Sequence, residues 1–173
     1  LAVKVDIGGE EITIGGIAKG SGMIEPSMAT MLSFLTTDAE IDKGLLQEAL
    51  SEAVDKTFNR ITVDGDQSTN DTVAILANGA AENEAIKKKG DSYRRFVEGL
   101  SYICKELAHL IVKDGEGATK FITIEAEGVE SESKAVKVAK GVANSNLVKT
   151  AIFGEDPNWG RIASAAGSAG VEF

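Results

Sequence analysis

Little in this chain suits the commoner catalytic or metal-binding schemes. It holds one cysteine and one histidine, so no internal disulfide can form and no Cys/His cluster of the zinc type can be assembled. A serine or cysteine nucleophile working through an imidazole base would have to use that one histidine, His109. Positive charge is also short. Eighteen Lys and Arg stand against 27 Asp and Glu, a formal charge of −9, which argues against nucleic acid as a partner because phosphate binding depends on Lys/Arg neutralisation. Small molecules or other protein chains are the expected partners. No apolar run is long enough to span a bilayer, and the first residues show no basic region followed by an apolar one. The expectation is a cytoplasmic chain with no membrane partner.

What is present has the size of one ordinary domain. At 173 residues a folded chain buries roughly 70% of the surface that its unfolded form exposes. Residues 2–7 and 11–17 alternate or cluster as β-branched and apolar around Gly8-Gly9, which reads as a hairpin. A loop rich in Gly and Pro follows, and residues 30–37 (TMLSFLTT) read as a buried strand opening at Thr30. Between Asp42 and Phe58 the residues Leu45, Leu46, Ala49, Leu50, Ala53 and Val54 recur at three- and four-residue steps, predicting an amphipathic helix with Asp42 as its N-cap. A polar loop, residues 64–71, precedes a short strand over 72–77 that ends at the turn signal Asn78-Gly79. Lys87-Lys88-Lys89-Gly90 reads as a solvated helix end. A second long helix is predicted over 92–112, with Phe96, Val97, Leu100, Ile103, Cys104, Leu107 and Ile111 on its apolar stripe. Beyond it the pattern predicts a strand over 120–126, a helix over 133–143, a strand over 147–153 and a small-residue helix over 158–169. The fold class is α+β, helices laid on a mixed or antiparallel sheet.

Several residues that carry chemistry elsewhere have plainer readings here. His109 lies two positions beyond the stripe residue Leu107, about 200° around the helix, and is expected to face solvent. Cys104 falls on the stripe, where cysteine acts as a small core residue. The loop from Asp64 to Asp71 is dense in oxygen ligands, yet an EF-hand numbering from Asp64 puts Thr69 where Gly is needed and Ile75 where Glu is needed. Its side chains suit hydrogen bonding to one another and to nearby backbone, in a structural or a site role. No metal is expected. Gly20-Ser21-Gly22 lacks the third glycine of a dinucleotide fingerprint and the Gly-Lys-Ser/Thr ending of a P-loop.

Thr30 can work without a histidine. A threonine hydroxyl needs a nearby base. Cleavage of the Ala29-Thr30 bond would create an α-amino group titrating near ~7.7–8.0, able to act as that base for its own hydroxyl. The same hydroxyl can make the cut by attacking the Ala29 carbonyl, giving an ester that water hydrolyses. On local residues alone, a threonine that merely opens a buried strand is the better explanation of the pattern.

The run KGSGMIEPSMATML, from Lys19 to Leu32, resembles the self-cleavage signature of the ornithine acetyltransferase (glutamate N-acetyltransferase) family of arginine biosynthesis. TVDGDQSTNDT from Thr62, DGEGATK from Asp114 and KTAIFGEDPNWGRI from Lys149 follow in the family's order. Ser27 stands where asparagine is common in that family. The resemblance implies an N-terminal-nucleophile-like layered α/β sandwich of the ornithine acetyltransferase type. It implies self-cleavage at Ala29-Thr30 and acetyl transfer from N-acetylornithine to glutamate through an acetyl-Thr30 ester. Thr30 would be catalytic, and Lys19, Thr30 and Glu116 substrate-binding. Asp64, Asn70, Asp71, Asn158 and Arg161 would support the site or subunit packing, and a cap at a helix start explains Asn158 as well. No cofactor is implied, with acetyl-CoA a possible second donor. Residues 1–29 would end an upstream alpha segment and 30–173 begin a downstream beta segment, the whole being the central portion of a longer chain that assembles as a heterotetramer of two alpha and two beta chains. The family's oxyanion-hole Thr-Gly pair would lie upstream of Leu1, and further substrate residues beyond Phe173. An N-terminal-nucleophile amidase or aminopeptidase, and a non-catalytic interaction module, are the rival readings.

Overall fold

The computed structural model describes residues 1–25, 31–66 and 70–172. Strands β1 (Ala2–Ile7) and β2 (Glu10–Lys19) form an antiparallel hairpin with Ile7 opposite Glu10. The two turn residues, Gly8 and Gly9, have φ of 69° and 97°, the left-handed conformation that a two-residue hairpin of this hand needs and that glycine adopts without steric cost. Strand β3 (Leu32–Thr37) runs antiparallel to β2, and β4 (Thr72–Ala77) runs parallel to β3. The sheet is therefore mixed, in the order β1-β2-β3-β4. A parallel pair requires a crossover. Helix α1 (Lys43–Lys56) lies within it, its start fixed by Asp42, whose Oδ1 accepts from the backbone N–H of Gly44 and Leu45 at 2.8 and 3.2 Å.

The long helix α2 (Asp91–Lys113) lies across β1 and β2 and against α1. Its buried side chains include every residue of the expected stripe, and each large one contributes about 1.5–3 kcal/mol on leaving water. Two glycines permit the close approach. A Cβ at Gly99 of the helix would lie 2.5 Å from Val5 Cγ2, and one at Gly16 of β2 would lie 2.5 Å from Leu35 Cδ2 and 3.0 Å from Leu107 Cδ1. Helices α3 (Glu132–Ala143), α4 (Asn146–Phe153) and α5 (Trp159–Gly167) pack on one another. Ile17, Phe34 and Leu76 on the opposite face of the sheet are exposed. Among the described residues, no helix is long and apolar enough to cross a membrane.

The α+β class and the mixed sheet match expectation, and four local readings change. Residues 120–126 form no strand. Their side chains do alternate, but Phe121 packs edge-on to His109 with ring centroids 5.2 Å apart, and Lys113 Nζ sits 5.2 Å from the same ring. The segment thus lies along the end of α2, and none of its residues is paired to a strand of the sheet. The same contact corrects His109, which is half-buried against Phe121 instead of facing solvent. Residues 147–153 belong to helix α4, because Ser145 Oγ accepts from Val148 N at 3.4 Å and caps a turn that buries Val148 and Ala151; a short apolar run fits either period. Lys87, Lys88 and Lys89 precede α2, and Gly90 is its N-cap. The expected strand start at Thr30 lies outside the described residues, and the described strand begins at Leu32.

Candidate functional site

One end of the sheet gathers the residues singled out by sequence. The register sets Lys19, the last residue of β2, opposite Leu32, the first of β3, and Leu32 opposite Thr72, the first of β4. The loop after Lys19, the residue before Leu32 and the residue before Thr72 therefore leave the sheet side by side. These are Gly20, Met31 and Asp71. Ala29 and Thr30, the expected cleavage site and nucleophile, lie outside the described residues, as do Gln67, Ser68 and Thr69 of the polar loop.

Two aspartates of the polar loop hold the chain on either side of the expected cleavage site. On the upstream side, Asp64 Oδ2 accepts from Met23 N at 2.6 Å, and its Oδ1 accepts from Ile24 N at 3.0 Å and from Asp66 N at 3.1 Å. Val63 N adds a bond to the Ile24 carbonyl at 2.7 Å. On the downstream side, Asp71 Oδ1 accepts from Met31 N at 2.5 Å, and the Met31 carbonyl accepts from Thr72 N at 3.0 Å. Asp71 Oδ2 is shielded from solvent and has no hydrogen-bond partner. Burial pushes the Asp71 carboxyl above its ordinary pKa, opposed by the Met31 N–H and by the charge of Lys19. The polar loop, expected to hydrogen-bond nearby backbone, thus supplies a pair of carboxylate clamps on backbone N–H groups, which are among the stronger hydrogen bonds that a protein makes.

Glu116 joins the same cluster. Its backbone N–H donates to the Ser21 carbonyl at 2.7 Å, and its Oε2 lies where a Cβ on Gly22 would approach to 2.9 Å. Lys19 and Glu116 are both exposed, so their charged ends are open to a ligand. A surface groove of about 780 Å³ runs from Ala18, Lys19 and Ser21 to Leu110, Lys113 and Asp114 at the end of α2. Its charged lining is two ammonium groups, Lys19 and Lys113, and one carboxylate, Asp114, a net positive polarity suited to carboxylates.

Sequence reading missed the support beneath the polar loop. Thr62 Oγ1 donates to Asn144 Oδ1 at 2.8 Å, and Lys149 Nζ donates to the Val63 carbonyl at 3.0 Å. The end of α3 and the start of α4 therefore brace the residues just before Asp64. Lys149 heads the motif KTAIFGEDPNWGRI and could have been singled out for that reason; Asn144 carried no such signal. Asn158 and Arg161 serve packing between α4 and α5. Asn158 Oδ1 caps α5 by accepting from Arg161 N at 3.2 Å, and Arg161 Nη1 reaches the Leu147 carbonyl and Thr150 Oγ1 at 3.0 and 3.1 Å. Cys104 is fully buried, and burial pushes its thiol up to about 12 against a hydrogen bond with Thr57. It is a core residue and not a nucleophile.

Comparison with known proteins adds the following. The model of the ArgJ family matches residues 1–173. The arginine biosynthesis bifunctional protein ArgJ of Caldanaerobacter subterraneus subsp. tengcongensis is 53% identical over 173 residues, covering 100% of this chain and 43% of that protein. The glutamate N-acetyltransferase of Methanocaldococcus jannaschii is 54% identical over 175 residues, covering 100% of this chain and 42% of its own length. The chain thus spans about two-fifths of the length of these curated relatives. The crystal structure of arginine biosynthesis bifunctional protein argJ from Bacillus halodurans is similar at a TM-score of 0.79 and 53% identity, over 83% of this chain and 67% of that one.

Proposed function

The chain belongs to the ArgJ family, and from that premise we propose that it carries the self-cleavage site and nucleophile of a glutamate N-acetyltransferase. The observation that carries this reading is the convergence at one sheet end. Lys19 and the Met31 backbone next to Thr30 come from one motif, Asp64 and Asp71 from a second and Glu116 from a third, and all meet around the loop at 20–24.

In the proposed sequence Thr30 Oγ attacks the Ala29 carbonyl carbon, the peptide C–N bond breaks, and the hydroxyl proton passes to the departing nitrogen. Water hydrolyses the resulting ester, which frees the Ala29 carboxylate and restores the hydroxyl beside a new α-amine. That amine then takes the Oγ proton as the hydroxyl attacks the acetyl carbonyl of N-acetylornithine. Ornithine leaves with the proton, and the Thr30 ester passes its acetyl group to the amine of glutamate. Lys19 fits the α-carboxylate of either amino acid, and Glu116 faces a substrate amine. No cofactor takes part; acetyl-CoA is a second donor to be tested, since two of the relatives compared carry the word bifunctional in their names. The chain would be cytoplasmic, with residues 1–29 closing an alpha segment and 30–173 opening a beta segment of a tetramer of two alpha and two beta chains.

The test is the full-length protein incubated with N-acetylornithine, with and without glutamate. N-Acetylglutamate made only when glutamate is present is the expected result. Free acetate alone would assign the amidase chemistry instead. Thr30→Ala must abolish both the cleavage and the acetyl-enzyme.

A further inference from the structure

We propose that Gly22 is a positioning residue for donor binding, the space left by its missing side chain seating the Glu116 carboxylate where it meets the δ-ammonium of N-acetylornithine. The inference rests on the reading of Glu116 as facing a substrate amine and goes beyond it by naming which amine and what places the carboxylate.

Three observations lead to it. First, a Cβ on Gly22 would stand 2.9 Å from Glu116 Oε2, closer than side chains tolerate, while its next neighbours, Asp64 Oδ2 and Glu116 Cβ, lie at an ordinary 4.0 Å. The Glu116 carboxylate thus lies directly against the backbone of residue 22. Gly22 is not among the glycines with positive φ, so φ poses no bar to a side chain there and it is the carboxylate that calls for glycine. Second, the loop that carries Gly22 is held from both sides. Asp64 accepts from Met23 N and Ile24 N, the Ile24 carbonyl accepts from Val63 N, and Ile24 is fully buried. Under that clamp Met23 keeps a φ of 57°, a conformation that residues other than glycine seldom adopt. The Glu116 N–H donates to the Ser21 carbonyl at 2.7 Å, which fixes the Glu116 backbone to the same loop. Third, the Glu116 carboxylate makes no hydrogen bond or ion pair among the described residues, and the residue is exposed. It is placed by its contact with Gly22 yet left open to a ligand. Gly22 and Lys19 line the same groove, so the carboxylate stands beside the residue that fits the substrate's α-carboxylate.

The chemistry of the donor names the amine. In N-acetylornithine the α-nitrogen is an uncharged amide, so the δ-ammonium is the cationic group that a carboxylate can pair with. A charge-assisted hydrogen bond of that kind depends closely on geometry, and a carboxylate pushed off its seat loses much of it.

The experiment is a double-mutant cycle in the full-length enzyme, comparing the parent, Gly22→Ala, Glu116→Gln and the double variant. Each is mixed with N-acetylornithine alone over a range of concentrations, quenched, and weighed for acetyl on the enzyme. The methyl of Gly22→Ala crowds only the end of a flexible side chain, so the fold is expected to survive while the carboxylate moves. With Glu116 present, Gly22→Ala is expected to raise half-saturating donor about tenfold, the limiting rate changing less than about threefold. In the Glu116→Gln background the same substitution is expected to change half-saturation less than about twofold. Equal effects in the two backgrounds, no effect in either, or an effect on the limiting rate alone each overturn the proposal. If the parent takes no acetyl from N-acetylornithine, or Glu116→Gln leaves half-saturation unchanged, the functional reading fails and the proposal falls with it. Should Gly22→Ala not fold or not cleave, Glu116→Asp decides. It keeps the charge and leaves the loop untouched but draws the carboxylate back from Gly22 by one methylene, and must raise half-saturating donor about tenfold; an unchanged value overturns the proposal.

Discussion

Replacing Gly99 by alanine sets two opposing effects of known sign against each other. Alanine in the middle of α2 gains about 1 kcal/mol over glycine in helix propensity. The new methyl, however, would stand 2.5 Å from Val5 Cγ2 and 3.3 Å from Ile14 Cδ1. Val5 is β-branched and held in the β1–β2 ladder opposite Ile12, so its χ1 cannot swing aside cheaply. Forcing an extra methyl into such a contact costs about 1–3 kcal/mol, and an approach as close as 2.5 Å belongs at the upper end of that range. The clash wins, and Gly99→Ala is expected to destabilise by about 1–2 kcal/mol. Gly160→Ala in α5 is the control, since a Cβ there meets only Asn158 Oδ1 at an ordinary 3.6 Å. That variant keeps some of the propensity gain and should be neutral to stabilising by up to about 1 kcal/mol. Urea titrations followed by far-UV circular dichroism in the same full-length background compare the two. A neutral or stabilising Gly99→Ala with an unchanged denaturant slope would refute the close packing of α2 on β1.

Other perturbations bear on the site. Asp64→Ala removes an acceptor shared by three backbone N–H groups and is expected to cost about 2–4 kcal/mol, with protease sensitivity increasing near Met23; equal stability and sensitivity would remove the clamp from the account. The Asp71 carboxyl is raised above its ordinary 3.8, first by burial, so the folded state binds the more protons there. Its contribution to stability must therefore fall as pH rises through and above the ordinary value. The stability of Asp71→Asn relative to the parent should increase between about pH 3 and pH 7, and a flat difference would count against a buried carboxyl. Cys104, buried and with its thiol pushed up to about 12, should react with a thiol reagent at neutral pH only on unfolding. Lys19→Met should raise the half-saturating concentration of N-acetylornithine by about 10- to 100-fold, the worth of one charged hydrogen bond, while leaving self-cleavage intact.

Features governed by local rules were the ones legible in the sequence. The stripe of α2, the Asp42 cap and the Gly8-Gly9 hairpin each depend on residues a few positions apart, and all three are found. The errors arose where a distant neighbour decides. Residues 120–126 have the alternation of a strand but lie along α2, and His109 is covered by that same segment. Residues 147–153 were too short for periodicity to separate helix from strand, and one serine cap decided the outcome. The polar loop was correctly read as a hydrogen-bonding loop. Its division of labour, Asp64 upstream and Asp71 downstream of the expected cut, depends on pairings across 40 residues and has no local signature. The reading of Thr30 itself depended on resemblance, because a threonine opening a strand is locally unremarkable.

The most direct test of that reading is the intact mass of the mature full-length protein alongside its Thr30→Ala variant. The account predicts two chains in the parent, the second beginning at Thr30, and one unbroken chain in the variant. An unbroken parent, or a variant cut between residues 29 and 30, would contradict it.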